Sequence, residues 1–264
     1  MKLATWNINS VRLRAPLVER FLDEAEPDIL CLQETKCPDT LFPHEPFETR
    51  GYAHRAIRGE KGYNGVAILS RLPFESAQEH RDFCGREDTR HLSVRVAGVT
   101  LHNLYIPAGG DEPDRDKNPK FGHKLDFVDE LTDWFSPGGE AADGPSIAVG
   151  DFNIAPGEHD VWSHKQLLKV VSHTPVETDK LERLRASRDW LDVARAFVPD
   201  DEKLYSWWSY RSPDWAKADK GRRLDHIWVT PDLAPGVQRF SIEKPVRGWG
   251  KPSDHAPVVA EIDL

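Results

Sequence analysis

Cysteine is scarce in this chain, methionine nearly absent, and long apolar runs are missing. Cys31, Cys37 and Cys84 are the three thiols among 264 residues. They are odd in number and lack metal-ligand spacing, which excludes a disulfide-stapled secreted fold and a thiolate metal site. No apolar stretch approaches the roughly 18 residues of a membrane-spanning helix. The N-terminus, Met1-Lys2-Leu3-Ala4-Thr5-Trp6-Asn7, has no signal-peptide core. These absences place the expected protein in a reducing cytoplasm, with no membrane partner. Net positive charge is lacking too, because 35 Lys and Arg face 44 Asp and Glu, for a formal charge of −9. Disorder is excluded from the opposite direction: 9 Trp and 11 Phe are far more large apolar anchors than a disordered chain carries.

The negative balance is uneven along the chain. From Lys203 to Lys251 there are ten Lys or Arg against five Asp or Glu, with five of the nine Trp: Trp207, Trp208, Trp215, Trp228 and Trp249. Cations interleaved with aromatics suit a phosphate backbone and unstacked bases or sugars. A charged surface over a Trp-rich core accounts for the same composition.

Short β-branched runs predict strands at Leu3–Ile8, Asp28–Gln33, Gly65–Ser70, Leu92–Val96, Val99–Ile106, Ser146–Asp151, His226–Thr230 and Val258–Asp263. Helical spacing predicts helices at Ala15–Ala25, Phe121–Phe135, Thr178–Arg185 and Ser187–Ala196, with Pro27 and Pro137-Gly138-Gly139 as stops. Gly109–Pro119 and Ser209–Arg222 read as irregular loops. Many strands with few helices between them, and no linker or repeat, predict one α/β domain over residues 1–264, built of packed sheets flanked by helices.

Polar residues gather at the predicted strand ends. Asn7 closes the first strand and Gln33-Glu34 the second. Asp151-Phe152-Asn153 follows Ile147-Ala148-Val149-Gly150, Asp225-His226 opens another strand, and Ser253-Asp254-His255 precedes the last. If these ends meet on one rim, they assemble Glu34, Asp151, Asp225 and Asp254 with the amides of Asn7 and Asn153 and the imidazole of His255. Oxygen ligands without thiols select a hard cation such as Mg²⁺ or Mn²⁺. With a His–Asp pair, they are the parts needed to hydrolyse a phosphate ester. Singly, each acid also reads as a turn cap or a solvated loop residue, and His255 as a hydrogen-bonded structural histidine.

Seven blocks together resemble the exonuclease III family of abasic-site endonucleases, within the endonuclease/exonuclease/phosphatase superfamily. They are Trp6-Asn7-Ile8-Asn9 with Arg12, Leu32-Gln33-Glu34-Thr35-Lys36, Tyr63-Asn64-Gly65-Val66-Ala67-Ile68-Leu69-Ser70, Tyr105-Ile106-Pro107, Gly150-Asp151-Phe152-Asn153-Ile154-Ala155-Pro156, Gly221-Arg222-Arg223-Leu224-Asp225 and Lys251-Pro252-Ser253-Asp254-His255-Ala256-Pro257-Val258. They stand in the family's order, and Ser206-Trp207-Trp208-Ser209-Tyr210-Arg211-Ser212 looks like its bacterial branch. The resemblance implies a four-layer αββα sandwich, two mixed sheets face to face with helices outside. It implies Mg²⁺-dependent cleavage of double-stranded DNA 5′ to abasic sites, with 3′-to-5′ exonuclease action and cleaning of damaged 3′ ends. A monomer is expected.

By matching position, the resemblance makes Glu34 the principal metal ligand, with Asn7, Asp151, Asn153 and Asp254 around the metal. Asp151 would orient and deprotonate water, and Asn153 would bond the water or the charged phosphorane. His255, held by Asp225, would stabilise the phosphate's charge, a general-base role being the alternative, and Tyr105 would donate to phosphate or aid the leaving group. Trp207 and Leu224 would wall a pocket for the baseless sugar, with Asn9, Arg12, Lys36, Arg90, Arg211 and Arg222 as DNA contacts. Two positions depart from the pattern: Ala108 stands where many relatives carry an Asn or Gln that reaches DNA, and Arg222 where some carry an aromatic. Other metal-dependent phosphoesterases share such a site, among them deoxyribonuclease I-like enzymes, inositol-phosphate phosphatases and sphingomyelinases. A DNA-binding scaffold with a dead site predicts loss of Glu34, Asp151, Asn153, Asp225 or His255, and all five are present.

Overall fold

The computed structural model describes residues 1–264. The first half of the chain forms β1 (Lys2–Asn7), α1 (Val11–Ala25), β2 (Ile29–Gln33), α2 (Glu45–Glu48), β3 (His54–Arg58), β4 (Val66–Ser70), β5 (His91–Val96), β6 (Val99–Tyr105) and α3 (Pro119–Phe135). The second half begins with β7 (Ser146–Asp151), α4 (His164–Leu167), α5 (Pro175–Ala186), β8 (Leu191–Asp192), α6 (Val193–Phe197) and β9 (Trp207–Trp208). It ends with α7 (Trp215–Ala218), β10 (Gly221–Arg222), β11 (Asp225–Val229), β12 (Val237–Ile242) and β13 (Val258–Ile262).

Two sheets carry the architecture. One has the order β12-β13-β1-β2-β4-β3 and the other β5-β6-β7-β11-β8, while β9 and β10 form a small ribbon. Both large sheets are mixed: β1 runs parallel to β2 and β6 to β7, and the other pairs are antiparallel.

Side-chain alternation sorts each strand between two cores. Leu3, Ile29, Cys31 and Ile68 of the first sheet pack against Leu101, Ile147, Val149 and Ile227 of the second, forming a core between the sheets. The alternate residues Ala4, Trp6, Leu30 and Leu32 turn outward onto Val18, Phe21 and Leu22 of α1. On the opposite outer face, Leu104, Ala148 and Trp228 meet Phe127 and Leu131 of α3 and Leu181 and Leu184 of α5. Helix, sheet, sheet and helix therefore stack as the expected four-layer αββα sandwich. Gly150 permits the closest strand approach, because a Cβ there would sit 1.9 Å from the Leu104 carbonyl oxygen.

The eight anticipated strands are present, with ends shifted by a residue or so. Three edge strands escaped prediction, β3 (His54-Arg55-Ala56-Ile57-Arg58), β12 (Val237-Gln238-Arg239-Phe240-Ser241-Ile242) and the two-residue β8 (Leu191-Asp192). An edge strand needs pairing on one side only and tolerates charge, so its composition carries little signal. The helix expected over Ser187–Ala196 is a correction. α5 stops at Ala186, Asp189 takes a left-handed φ of 51°, and Leu191–Asp192 pairs with β11 before Asp192 caps the short α6. Trp190 in that turn is fully buried, so packing overrides helical spacing there.

Candidate active site

The inward-facing row of each central strand begins apolar and ends polar, and the polar ends share one rim. In β1 the row reads Leu3, Thr5, Asn7; in β2 Ile29, Cys31, Gln33; in β6 Leu101, Asn103, Tyr105; in β7 Ile147, Val149, Asp151. β11 runs the opposite way and starts at the rim with Asp225, directly across from Asp151, while Tyr105 lies across from Asp151 on the other side. From the rim Gln33 Nε2 reaches down to donate to Thr5 Oγ1 at 2.9 Å and to Asn103 Oδ1 at 2.7 Å, tying the sheets together under the site.

Glu34 and Asn153 lie just past β2 and β7 with φ of 51° and 54°, a left-handed conformation that a non-glycine residue adopts at a cost. The surrounding bonds hold it. Asn7 Nδ2 donates to Glu34 Oε1 at 3.0 Å and to Asp151 Oδ2 at 2.8 Å. Tyr105 Oη donates to Glu34 Oε1 at 2.7 Å, and Lys36 Nζ pairs with Glu34 Oε2 at 2.7 Å. Asn153 Nδ2 donates to Asp151 Oδ2 at 3.1 Å and to the Ile106 carbonyl at 2.9 Å. His255 Nδ1 meets Asp225 Oδ2 at 2.8 Å, and its Nε2 lies 3.7 Å from Asp151 Oδ2. Ser206 Oγ donates to the same Asp225 oxygen at 2.6 Å, whereas Asp225 Oδ1 is buried without a partner.

Burial and charge set the protonation states. For Glu34, burial pushes the pKa up, but Lys36 and the donors Asn7 and Tyr105 outweigh it, and the carboxyl falls below its ordinary value. Asp151 goes the other way, raised by burial with Asp225 and Glu34 against the pull of His255 and Asn7. Burial disfavours charge on His255, yet Asp225 and Asp151 lift it well above an ordinary imidazole, so it carries a proton at neutral pH. Burial, then Glu34 and Asp151, push the Tyr105 phenol far up, leaving it a neutral donor.

Asp151, Asp225 and His255 bring one ligand atom each within 4.8 Å of one another, a buried acidic and histidine group able to hold a metal. Of these, the sequence placed only Asp151 among the ligands. Glu34, Asp151 and Asp254 line one cleft, and Asp225 Oδ1 lacks a partner; oxygen donors of this kind suit a hard cation. Asn7 and Asn153 turn their amide N–H groups toward Asp151, so in this arrangement they donate.

The rim opens into a cleft of about 810 Å³ lined by Glu34, Asp151, Asn153, Trp207, Leu224 and Asp254, among others. Trp207 is half-buried and donates its indole N–H to Asp254 Oδ2 at 2.9 Å, and Leu224 is buried beside it. Asn9 bridges Asp254 and Lys36. Arg211 lines the cleft and is exposed. Arg12 is exposed on the first turn of α1 and does not line the cleft.

Two of the expected phosphate contacts also hold partners within the protein, and Arg222 lines the cleft. Arg90 pairs with Asp88 at 2.6 Å and lies 4.8 Å over the Tyr105 ring. Arg222 donates to the Val171 carbonyl at 2.9 Å and Ser172 Oγ at 2.7 Å, over the Trp207 ring. The basic, Trp-rich segment is divided likewise: Arg223, Trp208 and Trp228 are buried in the interior, while Arg211 and Lys220 face the cleft.

Sequence reasoning missed Ser206, Lys124 and Glu177. Glu177 carried a signal, since Thr174-Pro175-Val176-Glu177 matches a helix capping box, and the box forms. Lys124 carried none, being one lysine on a helix rich in charge.

The model of the Endonuclease/Exonuclease/phosphatase family matches residues 4–255. The chain is 30% identical to exodeoxyribonuclease III of Haemophilus influenzae over 99% of both chains. The 3′ phosphatase NExo from Neisseria, solved bound to a product DNA hairpin, superposes with a TM-score of 0.91 at 31% identity, covering 100% of both chains. An AP endonuclease from Archaeoglobus fulgidus gives 0.91 at 32% identity over 100% of both.

Proposed function

The chain belongs to the endonuclease/exonuclease/phosphatase family, and from that premise we propose that it is a DNA-repair phosphodiesterase that cuts duplex DNA on the 5′ side of abasic sites, with 3′-to-5′ exonuclease and 3′-end-cleaning action. The observation that carries this is the meeting of Glu34, Asp151 and the Asp225–His255 pair at the mouth of a cleft walled by Trp207 and Leu224. A baseless sugar has lost stacking and pairing and leaves the helix at low cost. An apolar wall then accepts the sugar where a base is too large.

In this reading the scissile phosphate lies between His255 and Glu34. His255 donates from Nε2 to a phosphate oxygen while Asp225 holds Nδ1. Asp151 orients the attacking water and takes its proton, and Asn153 bonds the same water. Tyr105 donates toward the phosphate or the leaving oxygen. Preorganised donors at developing charge are worth about 3 kcal/mol each. Glu34, Asp151 and Asp254 would hold Mg²⁺, with Mn²⁺ as a substitute, and the cation would neutralise charge at the phosphate and the leaving 3′ oxygen. Asn9, Lys36 and Arg211 would contact the DNA backbone, and Arg12 would extend that contact along α1.

No helix is long and apolar enough to cross a membrane, and the reading is of a one-domain monomer in a bacterial-type cytoplasm. The test is a gel assay on duplex DNA with one internal abasic analogue, against undamaged duplex, with Mg²⁺ or EDTA. A metal-dependent nick 5′ to the lesion is the expected result, and a 3′ ladder measures the exonuclease share. Folded protein that makes no nick with Mg²⁺ or Mn²⁺ overturns abasic incision. The likeness to a 3′ phosphatase then makes 3′-end cleaning the reading to test.

A further inference from the structure

Lys124 of α3 and Glu177 of α5 form an ion pair with both side chains 0% exposed, behind the Asp151–Asn153 turn. An ammonium has three N–H donors, and three acceptors meet this one: Glu177 Oε1 at 2.5 Å, the Asn153 carbonyl at 2.8 Å and the Ala108 carbonyl at 3.3 Å. Glu177 is as fully used. Its oxygens accept the Ser172 N–H at 2.9 Å, the Thr174 N–H at 3.1 Å and Thr174 Oγ1 at 2.7 Å. One buried pair therefore joins the loop after β6, the turn after β7 and the entry to α5. Ala108, Asn153 and Ser172, one from each, line the cleft. The first loop is shaped around the lysine: at Gly109, whose φ is 87°, a Cβ would come within 2.8 Å of Lys124 Cδ.

Burying such a pair costs desolvation that an apolar pair of similar volume avoids, so its contribution lies in the geometry it imposes. Asn153 is where that geometry matters. Its left-handed backbone needs support from its surroundings. The side chain and N–H are held by Asp151 and the Ile106 carbonyl, and the carbonyl by Lys124.

We propose that Lys124, backed by Glu177, is a positioning residue of the cleft: it sets the Asn153 peptide and so the aim of the Asn153 amide beside Asp151. This rests on the function proposed above. Misplacing a reacting group by about 1 Å costs on the order of 100-fold in rate, which sets the expected effect.

The experiment uses the full chain with Mg²⁺ and abasic duplex, and compares Lys124→Met, Asn153→Ala and the double variant. Single-turnover rate and DNA Kd are measured at a temperature where circular dichroism shows each variant folded. Lys124→Met is expected to slow incision on the order of 100-fold with Kd held within about threefold, and to cost little more once Asn153 is already Ala. Full multiplication of the two losses overturns the proposal, as does a lowered melting temperature with an unchanged rate per folded molecule. If Lys124→Met does not fold, Glu177→Gln keeps a capping acceptor while removing the counter-charge, and its coupling to Asn153→Ala is judged in the same way. Asn153→Ala incising at the parent rate refutes the functional reading itself, and the positioning role with it.

Discussion

Asp225→Asn isolates what the second acid does for His255. The carboxylate accepts from His255 Nδ1 at 2.8 Å and from Ser206 Oγ at 2.6 Å, in a fully buried position. At 2.8 Å and an effective dielectric of about 20, its attraction for a protonated imidazole is about 6 kcal/mol before desolvation is counted. The nearer remaining counter-charge is Asp151, 3.7 Å from Nε2, worth about 4 kcal/mol by the same arithmetic, with Asp254 contributing less. The neutral amide of the variant leaves the imidazolium leaning on Asp151, the group that should be free to handle water. In the proposed mechanism two functions then fail together, the donor to phosphate and the acceptor for the proton. A single misaligned charged donor costs roughly 10²–10³ in kcat, and the expected loss lies at the upper end of that range. Asn is nearly isosteric and can still accept from Ser206, so DNA Kd should stay within about threefold. The assay is single-turnover incision of abasic duplex at saturating enzyme and Mg²⁺, paired with anisotropy on uncut DNA. A kcat within threefold of the parent refutes the pairing argument. So does a rate loss matched by an equal loss of binding.

Two further outcomes follow from the same geometry. His91 and His102 are buried with Nε2 and Nδ1 3.2 Å apart, and the Arg81 N–H donates to His91 Nδ1, so the pair is satisfied when both rings are neutral. Burial, with Arg188 nearby, takes the His102 pKa from 6.5 down to about 3. A depressed folded pKa gives stability that is present above the unfolded pKa and lost as pH falls toward the folded one, so this ring costs about 2 kcal/mol between pH 7 and pH 5. His102→Gln should remove that share of the acid sensitivity in urea titrations at the two pH values, and an unchanged difference would falsify the assignment. Trp207→Ala should lower the preference for abasic over undamaged duplex at least tenfold by removing the pocket wall; equal losses on both substrates would make Trp207 structural.

The strands and the acids were legible in the chain because both follow local rules. Alternation in Leu3-Ala4-Thr5-Trp6-Asn7 separates an inner from an outer face, and an acid or amide ending an apolar run marks a rim. The resemblance supplied the grouping of those ends. That Arg222 and Arg90 hold partners within the protein was not legible, since a cation reads the same whatever it meets. Arg222 grips Val171 and Ser172, and Arg90 is held by Asp88. Edge strands β3 and β12 hid because their stability comes from a neighbour's hydrogen bonds.

By itself the sequence determined the layered α/β class, the polar strand ends and the identity of every acid at the rim, because backbone periodicity and side-chain chemistry are properties of short segments. Tertiary structure alone decided that Asp225 faces Asp151 across a ladder, that Trp207 is tied to Asp254, and that Lys124 finds three acceptors in the interior. Those contacts join residues from 16 to 74 positions apart. They are set by sheet register and close packing, which no local stretch of the chain contains.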